Sequence, residues 1–305
     1  MRPTGPPQND AVAPQEQGMI LINVLVIVIM ATAVLAIMLA GQDSDLERSR
    51  QLRVAAQAMA ITRSGELSAI VALRRDLAAG SIADTLAEPW ANIADHDVKI
   101  GAAQFSFVVA DAQARFNIND LALGDAISQD NLQQLVKIVG VAPDHVAGLL
   151  AALKAHGPIA DLSELRAVGL RDEELRRLAL LCAALPTPTT VNVNTAPEAL
   201  LAVLTGNPAT AHDIVMARAR AGAAGLSGAG GPGAPGASQF ILPPGTGVSS
   251  SYFWTRARVT VGGTTQQLTS LLHRRFSGGK PIVEAVRRWR GAAPLGAPEF
   301  PQPMR

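Results

Sequence analysis

The 305-residue sequence reads as an α+β protein: a long N-terminal helix packs on an antiparallel sheet, and a large all-α insertion interrupts that sheet. Three patterns carry this reading. An apolar run near the N-terminus passes directly into a proline-free amphipathic stretch. Alternation of period two appears in two separated places, around 98–111 and 252–273. Between them the apolar period is helical.

Composition bounds the possibilities. About half of the residues are hydrophobic, enough for a sizeable core in one to three domains. Net charge is +1, from 26 basic and 25 acidic residues. That balance argues against a nucleic-acid binder that relies on phosphate neutralisation. The single cysteine, Cys182, excludes an internal disulfide, and within LALLCAAL it reads as a small buried apolar side chain on a helix.

The first element is EQGMILINVLVIVIMATAVLAIMLA, residues 16–40. Its 22 apolar-run residues, Met19 to Ala40, would span roughly 33 Å as a helix, against a hydrocarbon core of ~30 Å. A secretory h-region is usually about 7–15 residues long and ends at small residues. This run is longer and meets the charged AGQDSDLERSR at once, so a retained span is expected. The helix should continue through Gln42–Ala79, where Leu46, Leu52, Ala56, Met59, Leu67, Ile70 and Leu73 recur at helical spacings around one internal glycine, Gly65. Unbroken from Met19 to Ala79, it would measure about 90 Å. Flanking charge assigns no orientation: Arg2 faces Asp10 and Glu16, while Arg48, Arg50 and Arg53 lie among acids. Gly18 stands directly before the run, and Asn23 is the fifth residue after it.

The next stretch, SIADTLAEPWANIADHD, reads as a loop with a turn at Glu88-Pro89. Strands follow around Val98–Ile100 and Gln104–Asp111, the second placing Phe105, Phe107 and Val109 on one face. From Ser128 to Leu185 four helical segments each end at glycine or proline, with Pro143 opening the second. Asp161 and Asp172 read as N-caps, and Glu164 completes capping-box spacing with Asp161. VNVNTAPEALLAVLTG and NPATAHDIVMARARAG add a short extended piece and two helices with Pro197 and Pro208 near their starts. Ala221–Ser238 is low-complexity and flexible. Its G-A-G-G-P-G matches a dinucleotide fingerprint only as a string, because neither the strand before it nor the helix after it is present. The clearest hairpin comes next: Phe253, Thr255, Ala257, Val259 and Val261 share one face, Trp254, Arg256, Arg258 and Thr260 the other, and Gly262-Gly263 makes the turn. PIVEAVRRWR adds a third strand, and the proline-rich tail from Gly291 is expected to be disordered.

No catalytic constellation emerges. His96, His145, His156, His212 and His273 are scattered without metal-ligand spacing, and the Asp95-His96-Asp97 triplet points to alternating sides of an extended segment. Ser227 lacks the second glycine of a nucleophile elbow. Asp43, Asp45 and Glu47 form a solvated run beside the membrane segment. One binding motif has weight: DLSELRAVGLRDEELRRLAL and VNVNTAPEALLAVLTGNPATAHDIVMARAR resemble helix-hairpin-helix units, which in competence-type DNA receptors hold phosphates by backbone N–H groups. Each offers one hairpin glycine, Gly169 and Gly206, where such units usually carry two. Arg166, Arg171, Arg176 and Arg177 are offset by Asp172, Glu173 and Glu174. Packed α-hairpins without nucleic acid are the simpler reading; a membrane-tethered DNA-binding or uptake protein is the alternative.

Four stretches together resemble the K-type minor pseudopilins of bacterial type II secretion (the general secretion pathway protein K family): the Gly18–Met19 edge, DTLAEPWA, DAQARFNINDL and VNVNTAPEALLAVL. The closing YFWTRARVTVGGTTQQLTSLLHRR fits as well. The resemblance implies a type-IV-pilin-like domain with a large helical insertion. It divides the chain into a leader (1–18), the transmembrane part of the helix (19–40), a first pilin-like part (41–118), the insertion (119–238), a second pilin-like part (239–290) and the tail (291–305). It implies that a prepilin peptidase cuts between Gly18 and Met19 and methylates Met19. It also implies assembly with I-type and J-type minor pseudopilins, other pseudopilins and the inner-membrane secretion platform, as the tip of a periplasmic pseudopilus. The role is non-enzymatic, the anchor is single-pass in the inner membrane, and no cofactor is required. Structural Ca²⁺ is a feature of the family, with no ligand assigned here. Most pilin-like subunits have glutamate where Asn23 stands, and its carboxylate neutralises the N-terminal ammonium of the subunit above. A tip subunit has nothing above it and needs no such acid.

Overall fold

A computed structural model of the chain describes residues 14–124, 126–226 and 242–300. Most of the expected leader, Ser227, most of the Gly/Ala-rich stretch and the last five residues lie outside these limits. The chain divides into two compact units, 1–54 and 55–305. One helix, α1 (Pro14–Ala79), contributes to both.

In the first unit, Leu21–Leu39 is long and apolar enough to cross a membrane, and its large apolar side chains are exposed. The hydroxyl in this run is satisfied internally: Thr32 Oγ1 donates to the carbonyls of Val28 and Ile29, both at 2.9 Å. Such back-bonding lets a polar side chain enter hydrocarbon without an orphan donor. Beyond the run, Arg50 pairs with Glu47 across one helical turn.

In the second unit, the rest of α1 is followed by a turn region and by β1 (Ala94–Ile100) and β2 (Ala103–Asp111). The chain then leaves the sheet. It passes through β3 (Phe116–Asn117), α2 (Ala126–Val139), α3 (Pro143–His156), a 3₁₀ segment at Leu162–Val168, α4 (Asp172–Leu181) and β4 (Cys182–Ala183). β5 (Val191–Asn192), α5 (Glu198–Thr205), α6 (Pro208–Ala221) and β6 (Thr246–Gly247) complete the excursion. It re-enters as β7 (Tyr252–Val261), β8 (Thr264–Ser277) and β9 (Lys280–Arg290). Sheet order is β1-β2-β7-β8-β9, antiparallel throughout. The helical block is therefore inserted between two neighbouring strands. Exit at Asp111 and return at Tyr252 lie outside the 119–238 that the resemblance implies, because the flanking segments form two parallel two-residue bridges, β3–β4 and β5–β6, inside the block.

Strand alternation decides the layering. Phe105, Phe107 and Val109 pair with Val259, Ala257 and Thr255 and face α1. At Gly65 the helix backbone comes close to the sheet: a Cβ there would lie 3.1 Å from the Phe105 ring and 3.2 Å from Phe107. Beside it Glu66, almost fully buried, accepts from Arg288 at 2.8 and 3.0 Å and from the Ser270 hydroxyl. The opposite face carries Trp254 and Leu271, which pack on Ala183 and Leu185 of the block. The block has its own core, built on Leu132, Leu135, Leu149, Leu153, Leu175, Leu178 and Leu200.

Several local expectations need correction. The tail is not disordered up to Phe300: Leu295 packs against the helical core, and the Phe300 ring lies 4.6 Å from the Arg256 guanidinium and 4.7 Å from that of Arg258. Proline content removes backbone donors but does not stop carbonyls accepting, and Arg115 and Arg256 bind those of Gly296 and Pro298. Asp161 caps with Glu164 as the spacing implies, but it caps a 3₁₀ segment rather than an α-helix. Asp172 is the first residue of α4 rather than its cap, and its carboxylate is taken by Arg166 at 2.7 Å. Cys182 lies just past the helix, in β4.

Candidate functional site

The three motif strings converge on one buried polar joint in the second unit. Asp84 opens DTLAEPWA, Asp111 opens DAQARFNINDL, and Asn192 and Thr195 belong to VNVNTAPEAL. Asp111 ends β2, at the point where the chain leaves the sheet. Its Oδ2 accepts from the hydroxyls of Thr195 (2.6 Å) and Ser250 (2.7 Å) and from Asn192 Nδ2 (3.0 Å), while Oδ1 accepts from the Gln113 amide at 2.8 Å. Burial pushes the Asp111 carboxyl up, against the hydrogen bonds of Thr195 and Ser250. Asn192 Nδ2 also reaches the Asp84 carbonyl and the Ser250 hydroxyl, both at 3.0 Å. Asn194 holds Leu226 from both sides, accepting from its amide at 2.8 Å and donating to its carbonyl at 3.2 Å. Gln113 donates to Thr190 O and accepts from the amides of Ser251 and Tyr252.

The phrase NIND closes a second part of the joint. Asn117 donates to Asp120 Oδ1 at 2.7 Å and to Thr187 O at 2.9 Å, and Asn119 exchanges bonds with the Ile159 backbone and reaches Leu185 O. These short amides and acids sit where irregular chain segments are buried, and their side chains complete the backbone hydrogen bonds that regular structure would otherwise make.

On the sheet side, Arg274 closes the joint. Its Nη1 pairs with Asp76 of α1 and its Nη2 with Asp84, also donating to Ser250 O at 2.8 Å, while the guanidinium lies 4.6 Å from the Phe253 ring centroid. Asp76, Asp84 and Glu88 bring one carboxylate oxygen each within 4.8 Å of one another, the only such acidic group among the described residues. It does not suit Ca²⁺. Arg274 already supplies the positive charge, and Glu88 accepts from the Thr85 amide, Trp90 Nε1 and the Ser81 hydroxyl, each at 2.8 Å.

The remaining sequence candidates are placed apart from this joint. Gly18 and Met19 lie within α1, so the bond between them sits inside the helix. Asn23 is exposed on the apolar run. Asp97 sits at a bulge in β1 with φ 49°, bound to Ser106 Oγ at 2.8 Å, so the Asp95-His96-Asp97 triplet is taken up by sheet structure. His145 lies 3.6 Å from Glu174, His212 3.1 Å from Glu198, and His273 stacks on Tyr252 with centroids 4.6 Å apart. Cys182 is buried and its thiol is pushed up to about 12, which leaves it unreactive.

At the two hairpins, Gly169 and Gly206 both take the left-handed conformation, but their amides donate inward, to Arg166 O and Val203 O. Arg166, Arg171 and Arg176 are paired with Asp172, Glu174 and Glu173. Neither these two amides nor these three cations stand free for phosphate, so they lend the DNA-receptor alternative no support. Sequence reasoning quoted the motif strings but assigned no role to Asp84, Asp111, Asn192 or Arg274. A cluster of short polar residues inside otherwise apolar segments was the available signal.

No family model matches the chain. Type II secretion system protein K of Pseudomonas aeruginosa is 27% identical over 323 residues, covering 92% of this chain and 95% of that protein. The chain is similar to the K-type minor pseudopilins of type II secretion. A chain of the crystal structure of the GspK-GspI-GspJ complex from the enterotoxigenic Escherichia coli type 2 secretion system matches with a TM-score of 0.62 at 21% identity, over 81% of this chain and all of that one. At that identity the structural match establishes the fold: an N-terminal helix with an antiparallel sheet.

Proposed function

We propose that this chain is a minor pseudopilin of the type II secretion system, the K-type subunit that caps the pseudopilus and helps initiate its assembly for protein export across the outer membrane. The observation that carries the reading is the likeness to protein K over 92% of this chain and 95% of that protein. In this reading prepilin peptidase cleaves between Gly18 and Met19, Met19 is methylated, and the apolar run from Met19 to Ala40 is kept as a single-pass inner-membrane anchor. The pilin-like head, with its helical insertion, lies in the periplasm. Its partners are I-type and J-type minor pseudopilins, as in the named Escherichia coli complex, together with other pseudopilins and the inner-membrane platform. The role is mechanical, with no chemical step assigned.

Asn23 supports the tip position. A charge within a bundle of apolar helices is costly unless paired, so a carboxylate there is useful only under a neighbouring subunit's ammonium. An amide contributes at most a modest interhelical hydrogen bond, about 1 kcal/mol. Mass spectrometry of the membrane-extracted protein tests the processing step: methylated Met19 at the N-terminus is expected, and a protein intact from Met1 would overturn it. Asn23→Glu is expected to impair placement at the tip and secretion while leaving the head folded. Normal assembly and secretion by that variant would remove the charge argument.

A further inference from the structure

A cleft of about 820 Å³ opens between α4, the β7–β8 face that carries Arg256, and the ordered tail. Four arginines and two glutamates line it: Arg115, Arg176, Arg177 and Arg256, with Glu173 and Glu299. Only Arg176 has an acid, Glu173, at 2.7 Å. Arg115 donates to the carbonyls of Leu180 and Gly296, and Arg256 to Pro298 O at 3.0 Å and to the Gln267 side chain at 3.4 Å. The Nε atoms of Arg177 and Arg256 are buried without a hydrogen-bond partner. Among the described residues no carboxylate forms an ion pair with Arg115, Arg177 or Arg256. Burial holds both Arg115 and Arg256 below the usual guanidinium range, and neighbouring Arg258 adds to this at Arg256, with Glu299 acting against it.

Arg115 and Arg256 donate only to neutral oxygens, so acids compensate their charge only at a distance, which the fold tolerates at a cost. Arg115 and Arg256 hold the tail, whereas the buried Nε of Arg177 has no hydrogen-bond partner. One wall of the cleft is apolar, formed by Ala179, Leu180 and Leu295. A small inorganic anion has no carbon to lay on that wall, whereas a peptide carrying carboxylates has both parts, and the guanidinium fork matches a carboxylate bidentately. We propose that this cleft is a docking site for an acidic peptide segment of a partner protein, whose carboxylates pair with Arg177 and Arg256 while its side-chain carbon covers Leu180 and Leu295. The proposal does not depend on the secretion reading.

The test uses the full-length protein in non-ionic detergent and a fluorescent Asp/Glu-rich decapeptide, with the matching Asn/Gln peptide as its uncharged counterpart. The acidic peptide is expected to bind at least about tenfold more tightly, equivalent to one charge-assisted contact, and to weaken as salt rises. Inorganic phosphate at the same ionic strength should not displace it beyond the effect of salt. The Arg177→Gln/Arg256→Gln variant should lose about tenfold in affinity. If that variant loses its thermal transition, Arg176→Gln decides, since that side chain is 63% exposed at the mouth, and a weakening of about threefold is expected. Equal affinity for the two peptides, full displacement by phosphate, or unchanged binding by a folded variant would each overturn the proposal.

Discussion

Arg274→Met is the sharpest test of the buried joint. The substitution keeps most of the side chain's length but removes the guanidinium from between Asp76 and Asp84, whose side chains are 14% and 2% exposed. Removing one partner of a buried ion pair costs about 3–5 kcal/mol, because the remaining charge stays desolvated. Loss of the cation over Phe253 adds about 0.5–1 kcal/mol or more, and protonation of one carboxylate returns part of the total. A net loss of about 3–5 kcal/mol corresponds to a fall in Tm of roughly 6–20 °C for a unit of this size. The sign of the pH dependence follows. Burial already holds the Asp76 and Asp84 carboxyls above their ordinary values against the pull of Arg274, and without the cation they rise further, so their contribution is full below about pH 4 and is lost as pH rises. The deficit against wild type should therefore be small near pH 4 and large at pH 7. Tryptophan fluorescence suits the measurement, since Trp90 packs edge-on against Phe253 with centroids 5.0 Å apart. A loss below about 1 kcal/mol at pH 7, or a deficit independent of pH, would refute the assignment of Arg274 as the resident cation.

Three further outcomes can be checked by the same unfolding measurements. Asn192→Asp places a second carboxylate 3.0 Å from Asp111 Oδ2 and deletes three donated hydrogen bonds; a loss of about 3 kcal/mol is expected, and a change under 1 kcal/mol would count against the joint. Gly65→Val drives a branched side chain into Phe105 and Phe107; overpacking should cost about 1–3 kcal/mol even though valine is the better helix former, and stabilisation would show that the helix does not approach the sheet as closely as 3.1 Å implies. Glu174 is held at about 2 by the Arg171 amide at 2.9 Å and the Arg171 side chain, so its contribution is present above its ordinary value of 4.5 and is lost as pH falls toward 2. Wild type should accordingly exceed Glu174→Gln in stability at pH 6, with the gap closing by pH 2.5; a constant gap would contradict this.

Much of the architecture was legible because it rests on short-range periodicity. The alternation of Phe253, Thr255, Ala257, Val259 and Val261 around Gly262-Gly263 marked β7 and β8 at nearly their observed limits. Pro143 and Pro208 stood at helix starts because a helix's first turn needs no N–H from them. The tail was misread for the converse reason. Its order comes from Arg115, Arg256 and Arg258, which are distant in sequence, and composition carries no trace of them.

By itself the sequence determined a long apolar helix, a sheet in two pieces with helices between, and the absence of an acid at position 23. Each of these is a property of residues within a few positions of one another, where helix and strand geometry alone set the spacing. Only the tertiary structure decided that Asp84, Asp111, Asn192 and Arg274 form one joint, and that Gly65 is the point where helix meets sheet. It also showed that three arginines share a cleft without an ion-pair partner among the described residues. Burial and pairing between segments far apart in sequence depend on how the whole chain packs, and no local pattern encodes them.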